Sequence, residues 1–241
     1  MTRASAEHQK ALLDLQKLDT RLARLAHERR SLPVHERIST LEGQGAELER
    51  ERIETATRRS DAGRELARVE SDVEQIHTRA KRHQERLMSG ASAKDAQAIE
   101  HELSLLAGRT AELEDLQLEQ MEMIEGIDAE LERIAGDAER IARELEDAIA
   151  ERDGECARID GERESVAGER EALASSLPAD LVALYDEVRE ETGGLGAIAL
   201  YGSRTEGVSI DFSLSELDSI NAAAADEVIT SEDYGYILVR M

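Results

Sequence analysis

Tryptophan is absent from these 241 residues, there is one phenylalanine, and tyrosine occurs four times. Without bulky aromatic side chains the chain cannot fill a broad, thick core. It has two prolines, Pro33 and Pro178, and one cysteine, Cys156. A single cysteine excludes an internal disulfide and a cysteine metal cluster, and it fits a reducing cytoplasm. A reactive thiol would need cationic surroundings, for which Arg152 and Arg158 make a weak case. No apolar run reaches the roughly 18 residues of a membrane-spanning helix. The N-terminal MTRASAEHQK has no apolar centre of the kind a signal peptide carries. Cations are scarce too: 30 Lys and Arg face 54 Asp and Glu, a net charge of −24. That balance favours solubility and disfavours sequence-independent binding to nucleic-acid backbones, which needs clustered cations.

What the chain does have is helical periodicity. Leu15, Leu18, Leu22 and Leu25 step by three and four, the seam of a helix pair. The spacing continues through Arg29 and Leu32 until Pro33 removes a backbone donor and restricts its predecessor, which predicts a kink at 31–34. A new register starts at Ile38 and runs through Leu41, Leu48, Thr55, Ala62, Leu66, Val69, Val73 and Ile76 to Leu87. Ser89-Gly90-Ala91-Ser92 then forms a turn at the midpoint of the helical region, and Ser92 can cap a second arm with Asp95 in its first turn. That arm carries Ile99, Leu103, Leu106, Leu113, Gln117, Gln120, Ile124, Ile127, Leu131, Ile134, Ile141, Ala148, Ile159, Val166 and Leu173 in its seam. The pattern predicts a long antiparallel two-helix coiled-coil hairpin over 1–176, with the turn at 89–92 and the first helix kinked near Pro33.

Folding there sets Arg29 at the level of Arg152 and Glu155, and Arg59 at the level of Glu122. Two readings fit: seam charges that fix register, or side chains that reach to water beside a narrow seam. Interior glycines, Gly126 and Gly136 among them, weaken the helices by ~1 kcal/mol each relative to Ala and predict fraying and bending.

All five aromatics lie after Pro178, which places a domain boundary near 177. A short helix from Asp180 to Glu191 follows, with Leu181, Leu184, Tyr185 and Val188 on its apolar face. The period then changes. Residues 197–201, 208–212, 228–230 and 236–240 read as strands, and Ser213 with Glu216 forms a capping box opening a helix over 214–224. A turn is expected at 231–235. A β-rich module of this size is marginal for folding alone.

Four stretches carry a resemblance. They are Ser92-Ala93-Lys94-Asp95-Ala96-Gln97-Ala98-Ile99-Glu100-His101-Glu102-Leu103, Leu113 to Met121-Glu122, Leu184-Tyr185-Asp186-Glu187-Val188-Arg189, and Gly235-Tyr236-Ile237-Leu238-Val239-Arg240. In this order the chain resembles the bacterial coiled-coil hairpin proteins with a C-terminal zinc ribbon of the four-cysteine type, a family labelled nucleic-acid-binding. The resemblance implies two Cys-x-x-Cys knuckles, here aligned on Thr205-Glu206-Gly207-Val208 and Ser231-Glu232-Asp233-Tyr234. All four thiolates are missing. Thr205, Val208, Ser231 and Tyr234 stand where the ligands would be, and zinc wants Cys or His in a closed tetrahedron. The expectation is a degenerate, metal-free ribbon over 177–241, with a core of Val208, Ile210, Phe212, Tyr234, Tyr236 and Leu238 and no cofactor. The resemblance also links the chain to handling of secretion or flagellar components and of a sigma factor.

One basic segment stands out in this acidic chain. Arg79, Lys81, Arg82, Arg86 and Lys94 surround the turn, with Glu85 as the acid among them. They could dock an acidic protein or nucleic acid, or form a solvated helix face balanced by acids elsewhere. Base-stacking aromatics are missing there. The six histidines, at 8, 27, 35, 77, 83 and 101, form no metal-binding pair, and no nucleophile, base and orienting group can be assembled. The sequence therefore points to a non-enzymatic, cytoplasmic, chaperone-like adaptor, monomeric or homodimeric, that binds partner proteins and no membrane. Nucleic-acid binding through the basic tip is the alternative, disfavoured by charge.

Overall fold

The computed structural model describes residues 2–231 and 233–241. Met1 and Glu232, the latter inside the expected 231–235 turn, lie outside the described residues. Five helices and four strands follow in order: α1 Ala6–Arg30, α2 Val34–Met88, α3 Ala93–Ser175, α4 Ala179–Glu191, β1 Ala197–Tyr201, β2 Arg204–Thr205, α5 Leu214–Ala222, β3 Ile229–Thr230 and β4 Ile237–Arg240.

The punctuation follows the chemistry of the caps. The Ser5 hydroxyl accepts the His8 amide at 3.2 Å and opens α1, as an N-cap should. Ser31 returns its amide to His27 at 2.9 Å, and Pro33 forces the break before α2 begins at Val34. Gly90 turns the chain with φ of +95°, a conformation that costs glycine little. Ser92 then accepts the Asp95 amide at 3.3 Å and starts α3. The expected turn and kink stand as drawn. The expected bending at glycines does not appear as a break: α3 runs unbroken past Gly126 and Gly136, beside which a Cβ would meet nothing within 4 Å.

Two compact units result, residues 36–149 and residues 1–35 with 150–241. This division differs from the boundary expected near 177. The first unit is a coiled coil with a thin seam. Ala62 of α2 packs with Ile124 and Ile127 of α3, and Leu66 and Leu131 flank them. Thr55, Val69, Ile99, Leu106, Leu113, Ile134 and Ile141 are also buried, matching the 3-4 pattern of the sequence.

In the second unit, Leu25 of α1 packs with Ile159 and Val166 of α3. The strands form one sheet in the order β2-β1-β4-β3, with β1 and β4 parallel and Ala197 opposite Ile237. Its two faces are both covered. Leu12 and Leu15 of α1 join Leu181, Tyr185 and Val188 of α4 against Ala197, Ile237 and Val239. On the other face Ile198, Leu200 and Leu238 pack with Ile210 and Ile220. The alternation along β4 is the period of two that a strand imposes. A module too small to fold alone thus shares its core with α1 and α4, which is why the compact units do not part at Pro178.

Segment 208–212 is not a strand, contrary to expectation. β2 already occupies one edge of β1 and β4 the other. Gly207, with φ of +86°, then turns the chain away. Ile210 still reaches the core, but its backbone pairs with no strand of the sheet. The remaining differences are small: α5 ends at Ala222, and β3 and β4 each begin one residue late.

Candidate functional site

At the turn of the hairpin, Arg79, Lys81, Arg82, Arg86 and Lys94 are all exposed. Arg79 pairs with Glu102 across the two helices. Lys81, Arg82, Arg86 and Lys94 have no carboxylate partner among the described residues. Met88 is 83% exposed beside them, and a shallow depression of about 420 Å³ runs from His77 past Lys81 to Met88. The surface is cationic with an apolar patch, and it holds no stacked aromatic.

Interhelical ion pairs do not fall at the levels drawn from the sequence. Arg59 meets Asp128 at 3.2 Å, not Glu122, and Arg29 meets Asp160 at 3.1 Å, not Glu155. Arg152 turns to its neighbour Asp153 at 2.7 Å. The apolar seam is displaced in the same sense, with Ala62 packed on Ile124 and Ile127, so the helices pair several residues further along α3 than counting back from the 89–92 turn sets. The paired charges are 44–48% exposed, so they lie at the rim and not in the seam.

The ribbon positions are dispersed in role. The Thr205 hydroxyl donates to the Val208 carbonyl, and Val208 packs half-buried on the second core. Ser231 is buried and its amide donates to Tyr236 at 2.8 Å. Tyr234, expected in the core, is 47% exposed and stacks on Tyr236 at 6.3 Å. Gly235, with φ of +77°, throws Tyr234 outward. Phe212 and Tyr236 border the core while Ile210 and Leu238 sit in it. Threonine, valine, serine and neutral tyrosine do not fit a tetrahedral zinc site. Among the described residues no cluster of three His, Cys, Asp or Glu could hold a metal.

Sequence reasoning missed a buried polar knot. Asp19, with 3% of its side chain exposed, accepts the Tyr185 hydroxyl at 2.8 Å and Arg170 Nε at 2.8 Å. Arg189 Nη1 lies 3.6 Å away, and Arg170 also reaches Asp186 at 2.5 Å. Gln16 Oε1 accepts the Gly196 amide at 2.6 Å, and its Nε2 donates to the Gly194 carbonyl at 3.0 Å. Burial first, then the hydrogen bond to Asp19, pushes the Tyr185 phenol well above its ordinary range. The hydrogen bond to Asp19 likewise raises the Arg170 guanidinium. Gly196 is forced by this packing, since a Cβ there would sit 2.6 Å from Tyr185 Cε2. The available signal was Gln9, Gln16 and Asp19 on the apolar face of α1.

A model of the CT398-like coiled coil hairpin domain matches residues 15–193. The chain belongs to that family. A solved protein from Mycobacterium smegmatis is 31% identical, with a TM-score of 0.87 over 99% of this chain and 100% of that one. CT398 from Chlamydia trachomatis is similar at 13% identity and a TM-score of 0.72, covering 98% of both chains. HP0958 of Helicobacter pylori CCUG 17874 follows at 12% identity and 0.52, again over 98% of both. At such identities the last two speak for the fold alone. No curated protein matches. The match to the CT398-like domain stops after α4, and the Mycobacterium structure extends the likeness over the sheet. No described helix is long and apolar enough to cross a membrane.

Proposed function

We propose that this CT398-like protein is a non-enzymatic, chaperone-like adaptor that docks an acidic protein partner on the tip of its hairpin. The observation that carries the reading is Lys81, Arg82, Arg86 and Lys94, exposed and without acidic partners among the described residues, in a chain of net charge −24. Complementary charge steers encounter and fixes register, and Met88 adds apolar area. The C-terminal module supplies a second docking site. Its ribbon binds no zinc, because the four aligned positions lack thiolates; calorimetry with zinc is expected to show no stoichiometric uptake at the ribbon.

A photo-crosslinking residue at Ser89, exposed in the turn, tests the tip in the full chain. Protein adducts that survive nuclease and disappear when Lys81, Arg82 and Arg86 become Glu support the reading. Adducts indifferent to that reversal, or none, would refute it. The second reading, nucleic-acid binding, draws on the same cations, but no aromatic is present for base stacking. Nuclease-sensitive adducts whose yield falls steeply with salt would favour it.

A further inference from the structure

Within residues 36–149 the hairpin is a ribbon two helices wide, and interhelical ion pairs mark one of its broad faces. Arg79 of α2 meets Glu102 of α3, and Arg58 meets Glu130 at 2.5 Å. Side chains recur on one flank of a coiled-coil helix every seven residues. The same face therefore carries Arg58, Glu65, Asp72, Arg79 and Arg86 on α2. On α3 it carries Glu102, Arg109, Leu116, Met123 and Glu130, with Leu105, Glu112 and Glu119 in the adjoining row. Leu105 is 59% and Met123 48% exposed, and Leu116 between them is half-buried. The three form an apolar stripe that no described residue covers.

Some charges around the stripe are already engaged. Arg109 pairs with Glu112 at 2.7 Å, and Glu65 with Arg68 at 3.8 Å. Asp72, Arg86, Glu119 and Lys94, the last at the border of the face, have no ion-pair partner among the described residues. Their placement is symmetric. Asp72 and Arg86 stand one heptad to either side of Arg79. Lys94 and Glu119 stand about 17 and 21 Å to either side of Leu105, at ~1.5 Å per residue. Arg79 and Leu105 share a height, because Glu102, which Arg79 meets, lies within one turn of Leu105. A copy turned end for end about that height sets Arg86 against Asp72, Lys94 against Glu119 and Leu105 against itself, and the two-fold repeats each contact. A copy laid in the same direction would bring the two basic tips together. The overlap from Lys94 to Glu119 is about 40 Å long across two helices each ~10 Å wide. That is roughly 800 Å² per copy, the size of a stable interface.

We infer that this face binds a second copy of the chain in an antiparallel, two-fold dimer centred on Leu105. Leu105, Leu116 and Met123 supply the apolar contact, and the crossed charge pairs set its direction and register. The pairing does not depend on the adaptor reading, but it draws on Arg86 and Lys94. The dimer therefore covers part of the basic tip, and an acidic partner competes with it.

Sedimentation velocity of the full chain from about 1 to about 100 μM tests the pairing. A reversible monomer–dimer equilibrium is expected, weaker at high salt. Leu105→Glu, at an exposed position, should weaken it at least about tenfold with Tm unchanged. Lys94→Glu and Glu119→Lys should each weaken it, and the two together in one chain should restore it, because the pair is then only reversed. Leu105→Cys in a Cys156→Ser chain should give a disulfide-linked dimer under a mild oxidant, since the two thiols meet at the axis. A chain monomeric throughout that range, a dimer indifferent to Leu105→Glu, or a double reversal that fails to restore association would overturn the inference. So would a photo-crosslinker at Met123 that captures a different protein on a monomeric chain. A monomeric chain that still gives Ser89 adducts with another protein would leave the adaptor reading standing and remove only the pairing.

Discussion

The two compact units solve the same problem, burying a helical stripe, by different means. In residues 36–149 each helix has one partner. The seam is narrow, the charged side chains stay wet, and interhelical pairs such as Arg58–Glu130 at 2.5 Å are rim contacts with side chains 56% and 35% exposed. In residues 1–35 with 150–241 a helix pair gains a helix and a sheet. Burial there is deep enough to enclose Asp19, and an enclosed carboxylate must be fully paired. The difference teaches where stability resides: in the knotted unit each polar atom matters, and in the coiled coil almost none does.

The largest expected effect comes from opening the knot. Asp19→Ala should cost about 3–5 kcal/mol, because it removes the buried acceptor shared by the Tyr185 hydroxyl and Arg170 and leaves part of the charge of Arg170 uncompensated; thermal unfolding measures it. Tyr185→Phe should cost about 1.5–3 kcal/mol by losing a hydrogen bond to a charged group. It also carries a pH signature. The folded phenol titrates above its unfolded value, so its stabilisation is fully present below about pH 10 and is lost as pH rises beyond that. The native chain should lose stability more steeply there than Tyr185→Phe, and parallel alkaline slopes would remove the argument.

Gly196→Ala comes next, at about 1–3 kcal/mol, since its Cβ would drive into the Tyr185 ring. In the other unit the sign reverses. Gly126→Ala and Gly136→Ala meet no atom within 4 Å and should each stabilise by ~1 kcal/mol. Smallest of all, Arg58→Ala should change stability by no more than about 1 kcal/mol. A loss comparable with that of Asp19→Ala would erase the contrast between the units.

The coiled coil was legible almost residue by residue, because a 3-4 pattern has one physical meaning when Pro33 and Gly90 mark its breaks. Burial at Ile124, Ile127, Ile134 and Ile141 follows the spacing directly. Partners across the seam were not legible, since counting back from the turn does not fix the register in which the helices pack, as Ala62 against Ile124 and Ile127 shows. The knot was hidden for a different reason. Gln16 and Asp19 look like ordinary polar positions until α4 and β1, far away in sequence, close over them. Residues 208–212 misled because alternation signals a strand without revealing that the chain has turned away from the sheet at Gly207. At the candidate site, the basic tip could be seen in the sequence, while the face centred on Leu105 needed the ion pairs that mark it.

Hydrogen exchange followed by mass spectrometry addresses the division between the units most directly. The account predicts that peptides covering Leu12–Asp19, Leu181–Val188, β1 and β4 exchange last, and that those within residues 36–149 open at lower free energy. Uniform protection along the chain, or slowest exchange within 36–149, would contradict it.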